Sequence, residues 1–323
     1  MFKYVIKRIL LLFLTLFVIL SICFIMIKLL PLPEVTGREE VRKLVEAQRR
    51  ARGAYDPIMV QFWRFWKGVF TKFDWGTGEN LYPLQSVVTI IGQQLPATIS
   101  VNLFSILISV PVGLALGIFA AIKKNKWQDH VISTGVMIFI SVPSFVYAFL
   151  LYYLLIGKLH AFDLKALRID TDKNIWGQVF APKYVYNMIP AILALCFGTI
   201  AGLTRYTRAE LSEVLTSDYM LLARTKGLSR RQATLRHALR NAMVPIFPMI
   251  LGEFISIMSG SLIIENIFNI AGIGGLYIDS INLLDYNFFM ALSAFYTAIG
   301  LVAGIIIDLS YGFIDPRIRM GAK

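Results

Sequence analysis

The stretch RYTRAELSEVLTSDYMLLARTKGLSRRQATLRHALRNAMVP (residues 205–245) lies between two apolar runs that are each long enough to cross a bilayer. It contains eight of the 32 Lys and Arg residues of the chain, against three acidic residues. Basic residues in short segments between membrane spans accumulate on the cytoplasmic side. We therefore interpret the stretch as a cytoplasmic loop, and its charge taken alone is also consistent with a purely topological role.

The loop has the pattern of two short helices joined by a bend, which is more structure than a connection requires. Ser217 or Asp218 can cap the first helix, where a side-chain oxygen satisfies free backbone N–H groups. Gly227 suits the position after its end, because glycine becomes left-handed without a steric clash. Ser229 and Gln232 have the spacing of a capping box, which predicts the start of the second helix.

Composition predicts a polytopic membrane protein. Of the 323 residues, 57% are hydrophobic and 16% are charged, whereas a soluble domain has about 25% charged residues. The net charge of +12 does not indicate nucleic-acid binding, because the basic residues fall in blocks between apolar spans. Cys23 and Cys196 both lie in predicted spans, and the three histidines are widely separated. We therefore expect no disulfide framework and no metal site.

The apolar runs predict an all-α integral membrane protein with six transmembrane helices. Their approximate limits are residues 9–27, 95–122, 131–157, 184–204, 244–264 and 288–311. An even number of spans puts both termini on one side, and the short segments on that side hold seventeen basic residues. Both termini are therefore predicted to be cytoplasmic. Pro245 and Pro248 are expected to break the fifth span near its start.

The segment between the first two spans, residues 31–94, is polar and is expected to lie outside. Asp56 and Pro57 indicate a helix start there. Bulky apolar side chains follow at mostly helical spacing, namely Phe62, Trp63, Phe65, Trp66, Val69 and Phe70. This helix either lies at the membrane interface or packs on neighbouring spans. Inside the spans, two glycine pairs allow close helix approach; they are Gly113 with Gly117 and Gly198 with Gly202.

Several separated stretches resemble motifs of bacterial ABC importer permeases. Residues 218–245 are similar to the EAA loop of that family, and the segment RHALRN is similar to its dipeptide and oligopeptide branch. Ala223 and Gly227 match the second Ala and the Gly of the loop motif. Leu221 and Leu222 replace its Glu and first Ala, and Arg240 stands where many family loops have Pro. The other similar stretches are DWGTG (74–78), SVPSF (141–145), ENIFNIAGIGG (265–275) and IDLSYGFIDPRIRMG (307–321).

The resemblance implies the type I ABC importer permease fold, with a cytoplasmic coupling helix between spans 4 and 5 that docks on an ATPase subunit. The candidate coupling residues are Asp218, Tyr219, Leu222, Ala223, Lys226, Gly227, His237, Arg240 and Asn241. The implied organisation is a first span with an outer segment (1–93), a permease domain (94–312) and a cytoplasmic tail (313–323). The implied partners are a second, unlike permease subunit, two ABC ATPase subunits and an extracytoplasmic protein that delivers di- or oligopeptides. The implied location is the bacterial plasma membrane.

The energy for transport has to come from another chain. The sequence contains no G-x-x-x-x-G-K-[ST] phosphate loop, so ATP and Mg²⁺ are expected on the ATPase subunits, with no catalytic residue or cofactor on this chain. A membrane-embedded hydrolase lacks support, because neither H-E-x-x-H nor G-x-S-x-G occurs. An ion-coupled secondary transporter is the competing class, and it predicts an inverted repeat that the sequence does not display.

Three residues are candidates for the translocation pathway. Pro143 frees a backbone carbonyl inside the third span, and Glu265 begins the similar stretch 265–275. Glu253 lies at mid-span, where a carboxylate is unfavourable unless it is paired, protonated or in contact with water. It either meets the amine of a peptide in a cavity or makes an interhelical hydrogen bond. Nickel complexes and glutathione, which relatives in the family carry, are alternative cargoes.

Overall fold

The computed structural model describes residues 2–259 and 261–314, and its regular structure is helical. In chain order the α-helices are α1 (Phe2–Lys28), α2 (Glu39–Ala51), α3 (Ile58–Lys72), α4 (Val87–Ile122), α5 (Trp127–Ser141), α6 (Ser144–Leu151), α7 (Ile175–Val179), α8 (Pro182–Leu215), α9 (Asp218–Thr225), α10 (Arg230–Ala233), α11 (Leu239–Ser256), α12 (Leu262–Ile267), α13 (Ile273–Asn282) and α14 (Tyr286–Ile314). Wider π-helical turns occupy Tyr152–Lys158 and Thr234–Ala238. Within the described residues, β-pairing is limited to two isolated bridges, Thr77–Ser86 and Gly78–Pro83.

Six segments of the described chain are long and apolar enough to cross a membrane, when one bent pair is taken as a single span. Five are continuous: Ile6–Lys28, Val87–Ile122, Pro182–Leu215, Arg230–Ser256 and Tyr286–Tyr311. The bent pair consists of Trp127–Ser141 and Ser144–Lys158, which meet at 94°. The prediction of six spans is therefore confirmed, with a break inside the third that hydropathy alone does not reveal.

Proline has opposite effects in the third and fifth spans. Pro143 lies directly before α6, and Val142 ahead of it has an extended backbone, because proline disfavours the helical conformation of the preceding residue. In contrast, α11 continues through both Pro245 and Pro248, so the predicted break there is wrong. In lipid the remaining backbone groups need internal partners, which favours a continued helix over an open end.

The chain forms two compact units that alternate along the sequence. Unit 1 comprises Met1–Thr98, Arg168–Val179 and Met258–Val302, and unit 2 comprises Ile99–Leu167, Phe180–Ile257 and Ala303–Lys323. These units are defined by contacts between residues. The predicted segments 1–93, 94–312 and 313–323 are a division by topology instead. Residues 315–323 of the tail, including the Asp-Pro-Arg part of the closing stretch, lie outside the described residues.

The outer helix α3 packs against the first span inside unit 1. Phe17 of α1 stands 4.7 Å from Trp66 between ring centroids, and Phe24 stands 5.0 Å from Phe65. The buried members of this cluster are Leu20, Phe24, Ile27, Trp66, Met290 and Ala294. The expectation that the aromatic helix packs on neighbouring spans is therefore confirmed for one of its faces.

A buried carboxylate fastens the outer segment to the start of α14. The Oδ2 atom of Asp285 accepts hydrogen bonds from the backbone N–H groups of Glu79, Asn80 and Leu81, at 2.7, 3.0 and 3.0 Å. Burial raises the pKa of Asp285, while these three donors act in the opposite direction. Nearby, the buried Arg49 pairs with Glu79 at 2.6 Å, so the loop is held from two sides.

Close contact between α4 and α8 organises unit 2. A side chain at Gly113 would lie 2.9 Å from Cβ of Leu203, and one at Gly117 would lie 2.9 Å from the carbonyl oxygen of Thr204. The predicted use of this glycine pair is therefore confirmed. Open space surrounds the other pair, Gly198 and Gly202, within the described chain. Among the helices of the described chain, these two glycines therefore serve no close approach.

An ion pair links α5 to α8 inside the same unit. Nη2 of Arg208 donates to Oδ2 of the buried Asp129 at 2.8 Å, and Nε of Arg208 contacts the other carboxylate oxygen. Asp129 also accepts a hydrogen bond from the backbone N–H of Asn125 at 2.9 Å. The loop before α5 is thus tied to the part of α8 that begins the basic stretch.

Candidate coupling site

The basic stretch folds as two helices around a glycine bend, as predicted. α8 extends beyond residue 204 to Leu215, and α9 then runs from Asp218 to Thr225. Gly227 has a φ of +89°, which is a conformation that glycine adopts at little cost. The hydroxyl of Ser217 precedes α9 but donates to the carbonyl of Val214 at 2.6 Å. The expected side-chain cap on α9 is therefore wrong, because this hydroxyl instead satisfies the end of α8.

The second helix begins with the predicted capping box. Oγ of Ser229 accepts from the backbone N–H of Gln232 at 3.3 Å, and Oε1 of Gln232 accepts from the backbone N–H of Ser229 at 3.1 Å. This reciprocal pair satisfies two free donors at the helix start. Because both partners lie three residues apart, the local sequence determines where α10 starts.

The inner side of the loop is a cluster of small apolar residues. Met220 and Ala223 of α9 are buried there, and the other buried members are Ala121, Leu211, Ala233, Ala238 and Ala242. Alanine at these positions lets helix backbones approach closely. The candidate coupling residue Ala223 therefore faces its own chain, and its small size serves this internal packing.

The outer side of α9 carries an exposed apolar surface. Tyr219 is 41% exposed, Leu221 63% and Leu222 56%. We call these three residues the α9 surface. Leu221 was not among the predicted contact residues. Its position next to Leu222, away from the helix face that holds Met220 and Ala223, is the pattern that indicates its exposure. The other predicted residues are also exposed: Asp218, Lys226, Gly227, His237, Arg240 and Asn241.

The three pathway candidates have different environments. Pro143 lies at the break of the third span, where the hydroxyl of Tyr147 donates to the carbonyls of Phe139 and Val142. Glu253 is half-buried in α11. Within residues 2–259 and 261–314, no hydrogen bond or ion pair reaches its carboxylate. The described chain therefore supplies no partner for this carboxylate.

Glu265 is fully buried in unit 1 and organises the turn between α12 and α13. Oε2 accepts from the backbone N–H of Gly274 at 2.9 Å, and Oε1 accepts from that of Ser261 at 3.3 Å. The hydroxyl of Thr98 also bonds to this carboxylate and accepts from the N–H of Ile273 at 3.0 Å. Burial raises the pKa of Glu265 to about 7.

The pathway assignment of Glu265 is corrected by this environment. A side chain without exposed surface does not line a passage, and the glycines that follow it leave no space beside the carboxylate. A side chain at Gly274 would lie 2.8 Å from Oε2 of Glu265. Gly272 and Gly274 therefore serve the close packing of the turn around this carboxylate.

Comparison with known families covers nearly the entire chain. Residues 113–320 match the family described as "Binding-protein-dependent transport system inner membrane component", and residues 1–102 match its N-terminal counterpart. The chain belongs to this family. It is a multi-pass membrane permease subunit of an ABC transporter, and it works with other ABC subunits rather than as an enzyme.

Relatives of this permease are similar along their whole length. A dipeptide transport system permease protein of Lactococcus lactis is 33% identical over 320 residues, which cover 99% of this chain and 100% of the relative. A dipeptide transport system permease protein of Bacillus subtilis is 33% identical over 327 residues, which cover 100% of both. A glutathione transport system permease protein of Escherichia coli K12 is 30% identical over 322 residues, which cover 99% of both. The permease is therefore similar to these proteins along its given sequence.

Proposed function

We propose that this permease is the first of two unlike membrane subunits in an ATP-driven importer of di- and oligopeptides. The supporting observation is the full-length identity of 33% to dipeptide permeases of two organisms. Glutathione is the second candidate cargo, since a glutathione permease is 30% identical over 99% of the chain. Glutathione is itself a small peptide, so both candidates belong to one chemical class.

The assembly proposed here contains a second homologous permease, two ABC ATPase subunits and an extracytoplasmic peptide-binding protein. ATP and Mg²⁺ bind to the ATPase subunits. The α9 surface docks on one of them, because an exposed apolar surface on a charged loop is typical of a protein contact. Closure of the ATPases moves the two docked loops together, and the spans then alternate between outward-open and inward-open states.

The proposed location is the bacterial plasma membrane, with both termini and the α9 surface in the cytoplasm. The distribution of basic residues supports this orientation. A cysteine introduced at Lys43, which is exposed in the outer segment, is expected to react with an impermeant thiol reagent in intact cells, and one at Ser229 only after permeabilisation. The opposite labelling pattern would reverse the orientation and remove the basis for ATPase docking at α9.

Reconstitution tests the transport function directly. A tagged permease purified from its native membranes is expected to retain the second permease and the ATPases in fixed proportions. In liposomes, this complex should accumulate labelled dipeptide only when ATP and the binding protein are both supplied, and unlabelled glutathione should compete if it shares the site. Transport by the isolated permease under an ion gradient would instead establish a secondary transporter.

Glu253 is proposed to line the pathway and to meet the amine of the peptide. The change Glu253→Gln is expected to lower uptake of peptides with a free amino terminus roughly tenfold relative to blocked peptides, which corresponds to ~1.4 kcal/mol. Uptake competition between the two peptide types measures this preference. Glu213→Gln, which changes an exposed acid of α8, is the matched control. Reduced assembly of the complex with an unchanged preference would assign Glu253 to an interhelical hydrogen bond.

A further inference from the structure

Helix α3 has a packed face, a polar face and an unpartnered apolar stripe. The packed face holds Phe62, Phe65, Trp66 and Val69 against α1. The apolar stripe lies beside it and consists of Met59, Trp63 and Phe70, which are 62%, 64% and 69% exposed. At 100° per residue these three side chains fall within about 40° of one another on the helix. This concentration of exposed apolar area is too regular to be a scatter of single surface residues.

The polar face of α3 is hydrogen-bonded to the segment that precedes the helix, while Arg64 in this face stays exposed. Nη2 of Arg64 pairs with Oδ2 of Asp56 at 2.7 Å, and its Nη1 donates to the carbonyl of Arg52 at 2.6 Å. Nε2 of Gln61 donates to the carbonyls of Ala54 and Asp56, at 2.9 and 2.7 Å. The connection between α2 and α3 therefore lies on the side away from the packed face, so α3 has one polar and one apolar side.

The packing partners of α3 give its depth in the membrane. Phe17 and Phe24 of α1 precede the end of the span at Lys28 by eleven and four residues, which is roughly 16 and 6 Å of helix. Met290 and Ala294, from the same cluster, follow the start of α14 by four and eight residues, which is roughly 6 and 12 Å. Half of the hydrocarbon core is about 15 Å thick. The contacts of α3 with α1 and with α14 therefore both place it at the depth of a single leaflet.

We propose that α3 is an in-plane membrane helix and that its apolar stripe contacts the lipids of the leaflet in which α1 ends. Helices of this kind bury an apolar face near the boundary between headgroups and acyl chains and keep a charged face toward water. The first span, on which α3 packs, itself exposes apolar side chains, among them Phe13, Ile22 and Met26, as a helix in contact with lipid does. The occupant of the stripe is therefore bilayer lipid, and in the proposed orientation this is the outer leaflet.

The charge beside the stripe matches this occupant. Lys67 is exposed on α3 at about 60° from the middle of the stripe, and a lysine can extend its ammonium to the lipid phosphates while its methylene groups stay on the apolar side. Trp63 carries an indole N–H on a large apolar ring, which suits the membrane interface. This combination favours lipid over a soluble partner protein, whose contact with the stripe would require Lys67 to be paired or removed from the contact.

Spin-label accessibility tests the proposal in the assembled transporter. Cys23 and Cys196 are replaced by alanine, and single cysteines at Met59, Trp63 or Phe70 receive a nitroxide. The complex is reconstituted in bilayers of phosphatidylcholine and phosphatidylglycerol. We expect these three labels to collide several-fold more with oxygen, which concentrates in lipid, than with a water-soluble nickel chelate. A label at Thr71, an exposed residue on the other side of α3, should have the opposite preference.

The alternative occupants give different results. Poor access of both reagents to all three labels would mean that the second permease or the binding protein covers the stripe, and preferential collision with nickel would mean that water covers it. Either result overturns the proposal. Because labelling can disturb assembly, quenching of native tryptophan by brominated lipids provides a second measurement. Trp63→Phe should remove a larger part of this quenching than Trp176→Phe, and equal losses would contradict lipid contact. Neither measurement depends on which solute is transported.

Discussion

Replacement of Leu222 by aspartate is expected to abolish ATPase docking and peptide uptake while the permease still inserts in the membrane at normal levels. Leu222 projects from α9 and lies outside the apolar cluster of the loop, so the loop itself should keep its fold. A carboxylate enclosed in the contact without a partner costs several kcal/mol. A loss of ~3 kcal/mol already weakens association about a hundredfold.

The measurement is pull-down of the ATPase subunits together with peptide uptake from the same membranes. Leu159→Asp is the matched control, because Leu159 is an exposed leucine of unit 2 between the third and fourth spans, which the proposed orientation places outside. Normal docking by the Leu222 variant would exclude α9 as the contact. The same substitution at Ala223 is a less informative test, since a buried aspartate there would disrupt the loop before any partner is considered.

Glu265→Gln is expected to change how stability depends on pH. The pKa of Glu265 is raised from 4.5 to about 7 in the folded protein, so between these values the folded protein holds a proton that the unfolded chain has released. The free energy of unfolding of the natural protein should therefore fall as the pH rises from about 4.5 to about 7. Glutamine does not ionise, and the variant should gain up to ~3 kcal/mol relative to the natural protein over this interval.

Thermal unfolding of the purified complex at pH 5 and pH 8 measures this difference. The melting temperature of the natural protein should fall more between pH 5 and pH 8 than that of Glu265→Gln. Glu213→Gln, at an exposed position, should behave like the natural protein. Parallel pH profiles for Glu265→Gln and the natural protein would show that this carboxyl does not take up a proton on folding.

Local signals in the sequence were sufficient to predict the bend and the second helix start of the coupling site, and the spans around it. The bend at Gly227 depends on one residue, the box of Ser229 and Gln232 depends on a spacing of three, and the spans depend on continuous apolar runs. The close approach at Gly113 and Gly117 also follows from a short pattern. The bend, the box and the spans each depend on neighbouring residues alone, whereas the glycine pattern occurs twice and only Gly113 with Gly117 meets another helix of the described chain.

The features that escaped prediction depend on distant partners. The inward position of Ala223 requires Leu211 and Ala242 to pack against it, and no pattern within α9 identifies those neighbours. The enclosed state of Glu265 requires Thr98, which is 167 positions earlier in the chain. The 94° bend at Pro143 separates two helices of similar apolar character, so hydropathy remains continuous across it.

The hydrogen bonds of Asp285 also impose an order on biosynthesis. The carboxylate follows its three backbone donors, Glu79 to Leu81, by 204 to 206 residues. A ribosome that adds about 5–20 residues per second therefore needs roughly 10–40 s to supply the acceptor after the donors have been made. During this interval water or a chaperone has to satisfy those three N–H groups. The outer segment, although among the first parts of the chain to be synthesised, acquires its final attachment only when the last span arrives.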